Sequence, residues 1–265
     1  MKRVTLFAKG NVDIHDSLHS CRVGGQLLWN GLNDVLRKSH PNISVRLRHE
    51  TLSRSDALLA ATGAVPEAVA SRQLELGSYP AESQFSNKLF TTPADAVILS
   101  VQADVTDRLV RHKEQGFLLY PSEASDWSEA DREWLRTDFS KLALLSVDES
   151  MANLTELVER IKETRDVPIL IYNLSPIIPG DAVHCHLGLD DTYATRIRRF
   201  NLALIELSQA IGISIVDVDA IMARHGAERL KLDTVHLTPE GYERVAEEVV
   251  RILDDLGLFD NQGSA

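Results

Sequence analysis

The sequence predicts an α/β protein whose parallel β-sheet is covered by helices on both faces. Short and nearly continuous apolar runs recur along the chain, and amphipathic helical patterns lie between them. Strands that are buried on both faces need such apolar runs, and intervening helices supply the crossovers of a parallel sheet. The chain has 265 residues, which is long enough to bury a core without disulfides or a structural metal.

Five segments have the composition of strands, and the run at 96–101 is apolar enough to be central, whereas 43–47 alternates and suits a position nearer an edge. The predicted strands are residues 4–8, 43–47, 96–101, 167–172 and 213–218. Apolar residues at helical spacing predict helices at 27–36, 151–163, 192–211 and 239–256. Right-handed crossovers would then place the functional loops at the carboxyl ends of the strands.

We expect one domain over residues 1–265, with two segments that exceed what this fold requires. These are residues 64–87 and 120–146. Insertions of this length often form lids or substrate-binding walls, and a plain helical excursion is the alternative.

The composition of the chain limits the classes of partner that we expect it to bind. The chain carries 28 Lys and Arg against 39 Asp and Glu, a net charge of −11, which disfavours nucleic acid and anionic membranes. No apolar run approaches the length of a membrane span, and Cys21 and Cys185 do not make a disulfide framework. We expect a cytoplasmic protein that acts on a small molecule. The sequence does not indicate its oligomeric state.

The strongest chemical pattern lies near the end of the chain, in the run Asp-Thr-Val-His-Leu-Thr-Pro-Glu-Gly-Tyr that starts at Asp233. Thr238 can cap a helix that starts at Pro239, so His236 falls in the loop just before that helix. Asp233 can accept a hydrogen bond from one imidazole nitrogen and leave the other as a general base. The alternative is a helix-capping loop with an incidental histidine.

This run resembles the last motif block of the SGNH hydrolases, also called GDSL esterases and lipases. Residues 200–218 and 167–176 are similar to that family's preceding helix and strands, so the likeness covers most of 151–256. The resemblance implies a flavodoxin-like three-layer αβα sandwich with a parallel five-stranded sheet. It also implies hydrolysis or transfer of an acyl group on an ester or related substrate, without a metal or cofactor.

The nucleophilic serine of that family follows the first strand, and two alignments compete for it here. In one, His15-Asp16-Ser17-Leu18 takes the place of the motif and Ser17 is the nucleophile. In the other, Gly10-Asn11-Val12 follows the strand directly and Val12 replaces the serine. Strand length favours the second alignment, and the retained Asp233 and His236 favour the first. We take Ser17 as the expected nucleophile.

The oxyanion hole also departs from the family. The third block should read Gly-x-Asn-Asp, whereas this chain has Val-Gln-Ala-Asp, with only Asp104 kept. Because one oxyanion donor contributes roughly 3–4 kcal/mol, another group must replace the lost asparagine. The candidates are the Gly10–Asn11 loop and the Gln102 amide. Arg54, after the second strand, is a candidate for binding an anionic substrate, or else a solvated residue before a helix.

Two histidine-containing clusters raise the question of a metal. The first contains Asp13, His15, Asp16 and His19, and no zinc-type spacing is completed elsewhere in the sequence. The second is His184-Cys185-His186, which is also consistent with an ordinary surface loop. We expect no metal.

The sequence therefore predicts a serine hydrolase or acyltransferase that uses Ser17, His236 and Asp233. The alternative is a non-catalytic relative that binds a small ligand or a protein partner in the same cleft. The departures at Val12, Val101 and Ala103 are what such a loss of catalysis would leave.

Overall fold

The five predicted strands form one sheet in the computed structural model, which describes residues 2–23, 26–180 and 192–260. The strands are β1 (Lys2–Lys9), β2 (Cys21–Val23), β3 (Gln26–Trp29), β4 (Ile43–Glu50), β5 (Ala96–Ser100), β6 (Val110–His112), β7 (Leu118–Leu119), β8 (Phe139–Lys141), β9 (Ile169–Tyr172) and β10 (Ser214–Val216). The helices are α1 (Val12–Leu18), α2 (Leu32–Ser39), α3 (Ser55–Ala60), α4 (Glu67–Ala70), α5 (Ala81–Gln84), α6 (Lys88–Thr91), α7 (Gln102–Thr106), α8 (Glu129–Asp138), α9 (Val147–Thr164), α10 (Tyr193–Ile211), α11 (Val218–His225), α12 (Ala227–Leu230) and α13 (Pro239–Asp255).

The sheet has the strand order β10-β9-β5-β1-β4. β5 pairs in parallel with β1 and β9, and β9 pairs in parallel with β10, with Leu6 opposite Ala96 and Val97 opposite Ile169. The predicted α/β class, a three-layer architecture with a parallel five-stranded sheet, is confirmed. β5, which is fully buried and apolar from Ala96 to Leu99, is central, and the alternating β4 lies at an edge, as the sequence predicted.

The chain divides into two compact units. Unit 1 comprises Met1–His49, Pro93–Val101 and Val167–Ala265, and unit 2 comprises Glu50–Thr92 and Gln102–Asp166. All five strands of the parallel sheet belong to unit 1, apart from the last residue of β4. The two segments that exceed the minimal fold, 64–87 and 120–146, both fall inside unit 2.

The core of unit 1 is built on alternating side chains of β1. Leu6 and Ala8 pack with the buried faces of α1, α2 and α13, while Phe7 between them is equally buried. Successive strand residues point to opposite faces, so both faces of β1 are covered.

Helix α13 begins as the sequence predicted. The Oγ1 atom of Thr238 accepts the Gly241 N–H at 3.2 Å, and Pro239 occupies the first turn. This cap fixes where the preceding loop, which carries Asp233 and His236, joins the helix.

The first predicted helix starts later than expected. Residues 26–29 form β3, which pairs antiparallel with β2, and the helix begins only at Leu32. Gly31 has φ +85° and closely approaches the Leu18 carbonyl oxygen, where a Cβ would lie 2.7 Å away. A backbone in the left-handed region cannot continue a right-handed helix, so Gly31 separates the strand from the helix.

Unit 2 contains a small antiparallel sheet, several short helices and the long helix α9. Its antiparallel sheet has the order β7-β6-β8, and its core includes Trp127, Trp134 and Phe139. Helix α9 begins with a capping box, in which Ser146 and Glu149 each bind the other's backbone N–H. No helix in the described part of the chain is both long enough and apolar enough to cross a membrane.

Candidate active site

Asp233 and His236 form a hydrogen-bonded pair in the loop between α12 and α13. One carboxylate oxygen of Asp233 lies 2.7 Å from the His236 Nδ1 atom. The other accepts the backbone N–H groups of Val235 at 2.9 Å and His236 at 2.8 Å. The carboxylate therefore fixes both the loop and the imidazole, and it leaves the Nε2 atom of His236 for proton transfer.

The charge of Asp233 suits a residue that orients a general base. Burial would raise the pKa of Asp233, but its hydrogen bonds from the two backbone N–H groups and from His236 lower that pKa below the usual value. Asp233 is therefore a carboxylate at neutral pH. The side chains of Asp233 and His236 are 52% and 48% exposed, so a ligand in solution can reach them.

Asp16 lies near this pair. Burial would raise the pKa of Asp16, but hydrogen bonds with His15 and Tyr242 and the charges of His15 and His236 lower it. The Nδ1 atom of His15 lies 2.7 Å from the Asp16 carboxylate. Helix α1 and the Asp233–His236 loop therefore contribute charged groups to one region of unit 1.

Ser17 is not exposed to this region. It lies inside α1 and is fully buried, and its Oγ atom donates to the carbonyl oxygen of Asp13 at 2.8 Å or of Ile14 at 3.1 Å. The Tyr172 hydroxyl lies 3.1 Å away on its other side. The expected role of Ser17 does not fit this geometry, because a nucleophile needs a hydroxyl that a substrate and a base can reach.

The loop after β1 follows the competing alignment. Gly10 and Asn11 connect the strand to α1, which starts at Val12. A Cβ on Gly10 would lie 2.5 Å from the buried Ile14 side chain, so the close packing of this turn requires glycine. The buried Asn11 directs its backbone N–H to the Asp13 carboxylate at 3.2 Å.

The other two predicted site residues belong to unit 2. Arg54 is buried, and its guanidinium donates to both carboxylate oxygens of Asp56 and to the Ala143 carbonyl. The predicted binding of an anionic substrate does not fit this geometry, because the guanidinium is buried and already paired with a carboxylate. Gln102 is buried at the start of α7.

Two buried ionisable groups lie outside the predicted catalytic set: Asp13, which the sequence marked only as a candidate metal ligand, and Lys231, which it did not mark. Burial raises the pKa of Asp13, partly offset by hydrogen bonds that include one from Ser100. Burial also lowers the pKa of Lys231 to about 8, although the negative charges of Asp219 and Asp233 act to raise that pKa. The Lys231 Nζ atom donates to the Ser175 carbonyl at 3.0 Å. One small cavity beside the Asp233–His236 loop is lined by residues that include Asp13, Ser175, Lys231 and Val235.

A third histidine joins His15 and His19. His49, near the end of β4, has its ring centre 5.5 Å from each of theirs. Burial is the largest cause that lowers the pKa of His19, and it lowers that of His49 to about 4. No local pattern marks His49, because it lies in a strand far along the chain from the other two histidines. The predicted cluster at His184, Cys185 and His186 lies outside the described residues.

Solved structures match the chain over nearly its whole length. LAE5, an alpha/beta hydrolase enzyme from the metagenome of Lake Arreo in Spain, is 16% identical, with a TM-score of 0.52 over 97% of each chain. The acetylxylan esterase Axe2 from Geobacillus stearothermophilus is 14% identical, with a TM-score of 0.51 over 94% of this chain and 93% of its own. The acetyl xylan esterase AlAXEase is 12% identical, with a TM-score of 0.51 over 95% of this chain and 99% of its own.

The chain has the fold of the SGNH hydrolases. At these identities the likeness concerns the fold. A comparison with protein-family models finds no match, and a comparison with curated protein sequences finds none either.

The two ends of the predicted site differ in how they are formed. The Asp-x-x-His pair before the last helix has a hydrogen-bonded geometry. After β1 come Gly10 and Asn11, α1 begins at Val12, and Ser17 is buried inside that helix. The chain therefore combines a formed Asp233–His236 pair with a buried Ser17.

Proposed function

We propose that the chain hydrolyses a small ester, with His236 as the general base and Asp233 as the group that orients it. The observation that carries this proposal is the 2.7 Å hydrogen bond between the His236 Nδ1 atom and Asp233. The half-exposed imidazole has its Nε2 atom available to take a proton. The esterases that share the fold support an ester as the substrate class.

The attacking group in this proposal is water, because the Ser17 hydroxyl is buried. The Nε2 atom of His236 removes a proton from water as the water oxygen bonds to the ester carbonyl carbon. The tetrahedral intermediate then collapses, the bond to the alcohol oxygen breaks, and the imidazolium returns its proton to that oxygen. The products are a carboxylic acid and an alcohol. An acceptor alcohol in place of water would make the same steps an acyl transfer.

The negative charge on the carbonyl oxygen needs hydrogen-bond donors. Gly10 and Asn11 directly follow β1, in the same unit as the Asp233–His236 pair. We keep these two residues as the proposed donors, because ligands bind beyond the carboxyl ends of the strands in parallel sheets. Gln102 and Arg54, which belong to unit 2, are not among them.

The second candidate function is binding without catalysis. The burial of Ser17 and the position of Val12 after the Gly10–Asn11 turn favour it. In that case the Asp233–His236 pair would act as a hydrogen-bonding group for a small ligand.

The test is an assay of the purified chain on p-nitrophenyl acetate and on acetylated xylo-oligosaccharides. We expect His236→Ala to lower kcat/KM by about 10²–10⁴-fold, the range for loss of a general base. Asp233→Asn should lower kcat/KM by a smaller factor, because His236, the general base, remains. The matched control is His40→Ala, which removes the imidazole of another His–Asp pair in unit 1, 3.0 Å from Asp254.

Three other results of these assays would each contradict part of the proposal. Hydrolysis by His236→Ala at the wild-type rate removes His236 from the chemistry. Stoichiometric labelling of Ser17 by a serine-directed phosphonate replaces water with a covalent nucleophile. Binding of the acetylated oligosaccharide with no turnover supports the second candidate.

A further inference from the structure

The imidazole of His49 holds the turn that follows β1. Its Nε2 atom lies 2.9 Å from the Gly10 carbonyl oxygen. His49 is near the end of β4, which is the neighbour of β1 in the sheet. A carbonyl oxygen only accepts hydrogen bonds, so the Nε2 atom carries the proton and donates it. The contact therefore fixes both the direction of the Gly10 carbonyl and the tautomer of His49.

We propose that His49 is a positioning residue for the proposed ester hydrolysis, because it orients the Gly10–Asn11 peptide so that the Asn11 N–H faces the oxyanion. This inference rests on the proposed function. The peptide is trans, so its C=O and N–H bonds point in nearly opposite directions. A donor that holds the carbonyl toward β4 consequently directs the Asn11 N–H away from that strand.

The direction of the Asn11 N–H is visible in its own contact. It donates to a carboxyl oxygen of Asp13 at 3.2 Å, at the long end of the range for such bonds. Asp13 also lines the small cavity beside the Asp233–His236 loop. The N–H is therefore directed to the side of the turn on which the catalytic pair lies, and a long bond of this kind can be shared with a second acceptor.

The charge state of His49 suits this role. Burial is the largest cause that lowers its pKa, to about 4, and the charges of His19, His15 and Lys9 also lower it. The hydrogen bond with Gly10 acts in the opposite direction. The ring centres of His15 and His19 each lie 5.5 Å from that of His49. At neutral pH the ring is therefore uncharged and has one N–H, which the Gly10 carbonyl accepts.

The orientation of this peptide matters because an oxyanion donor acts through geometry. It must lie about 2.7–3.1 Å from the place that the charged oxygen will occupy, and a displacement of about 1 Å can cost about 100-fold in rate. Gly10 packs against the Ile14 side chain, and His49 holds its carbonyl. Loss of the His49 contact would remove one of these two restraints and let the Asn11 N–H turn away.

The experiment compares two amide variants of His49 on p-nitrophenyl acetate. The side-chain nitrogen of glutamine reaches about as far from the backbone as the histidine Nε2 atom, whereas that of asparagine reaches only as far as Nδ1. His49→Gln should therefore keep kcat within about threefold of the wild type. His49→Asn should lower kcat about 10–100-fold and change KM little, because an oxyanion donor acts in the transition state.

The matched controls are His40→Gln and His40→Asn, which make the same changes in another histidine of unit 1. His40 lies 3.0 Å from Asp254 and has no part in the proposed reaction, so both variants should hydrolyse the ester as the wild type does. Circular dichroism checks that every variant folds. If His49→Asn misfolds, His49→Met replaces it, because methionine matches the length of glutamine and lacks the donor.

Proton–nitrogen NMR gives a second readout that does not depend on turnover. The wild type should show His49 as the Nε2–H tautomer, and the Asn11 amide resonance should shift in His49→Asn and much less in His49→Gln. The proposal is overturned if the two amide variants have the same kcat, or if the Asn11 amide does not respond to His49→Asn. A wild type that gives the expected spectra but hydrolyses no ester would instead reject the proposed function.

Discussion

The hydroxyl groups of Ser17 and Tyr172 lie 3.1 Å apart in the interior of unit 1. Both residues are fully buried, and burial raises the pKa of the Tyr172 phenol. Tyr172 therefore stays protonated and can donate to the Ser17 oxygen, while Ser17 donates to a carbonyl of its own helix. This contact joins α1 to the end of β9, which is a structural role for a residue that the sequence presented as a nucleophile.

We predict that Ser17→Ala lowers stability and leaves activity nearly unchanged. The substitution removes a partner of the buried Tyr172 hydroxyl, and an unsatisfied buried hydroxyl costs about 1–3 kcal/mol. The measurement is the free energy of unfolding in urea for Ser17→Ala, Tyr172→Phe and the double variant. The double variant should lose less than the sum of the single losses. A stable Ser17→Ala protein with a thousandfold loss of hydrolysis would contradict this account.

We predict that Gly10→Ala destabilises unit 1 through crowding. The new Cβ would meet Ile14 Cδ1 at 2.5 Å and Cγ1 at 2.9 Å, and Ile14 has no exposed surface into which it could move. Overpacking of this kind typically costs about 1–3 kcal/mol. The matched rescue is Gly10→Ala with Ile14→Val, which removes the nearest methyl group. Thermal unfolding checks both, and equal melting temperatures for wild type and Gly10→Ala would show that the turn has more room than the contacts indicate.

We predict a pH-dependent difference in stability between the wild type and Lys231→Met. Burial lowers the pKa of Lys231 from 10.5 to about 8, so the folded state releases this proton at a lower pH than the unfolded state does. Below pH 8 both states are protonated, and the full cost of the buried charge is present. Between about pH 8 and 10.5, the free energy of unfolding of the wild type should rise by up to about 3 kcal/mol relative to that of the variant.

Urea unfolding at a series of pH values measures that difference. Lys38→Met is the control, because Lys38 is exposed and its hydrogen bond with Glu243 raises its pKa, so removing it should give no such rise. A pH-independent difference between the wild type and Lys231→Met would mean that Lys231 is uncharged or well solvated in the folded state.

The sheet was predictable because its central strands are apolar on both faces and its edge strand β4 alternates. The run at 96–101 became the central β5 for this reason, and the Thr238–Pro239 start of the last helix followed from capping chemistry. The segment near Leu27 was predicted as helix and is β3, because apolar spacing does not reveal that Gly31 adopts a positive φ. The sheet of unit 2 was missed, since β6, β7 and β8 are only two or three residues long.

The site was predictable only where its residues are close in sequence. Asp233 and His236 are three residues apart, so the loop itself dictates their contact. His49 and Lys231 come near other site groups only through the fold, and no local pattern marks them. The position of Ser17 depended on how many residues separate β1 from α1, and helix α1 begins too early for Ser17 to face solvent.

The interleaving of the two units has a consequence for synthesis on the ribosome. Unit 2 is complete once residue 166 has been made, whereas unit 1 still lacks β9, β10 and α13. The segment that opens unit 1 must therefore wait for the last hundred or so residues before its sheet can close, and domains tend to fold as units while the chain emerges. We expect the later-starting unit to finish first, which leaves the apolar edge of β5 that pairs with β9 open until the last third of the chain has been made.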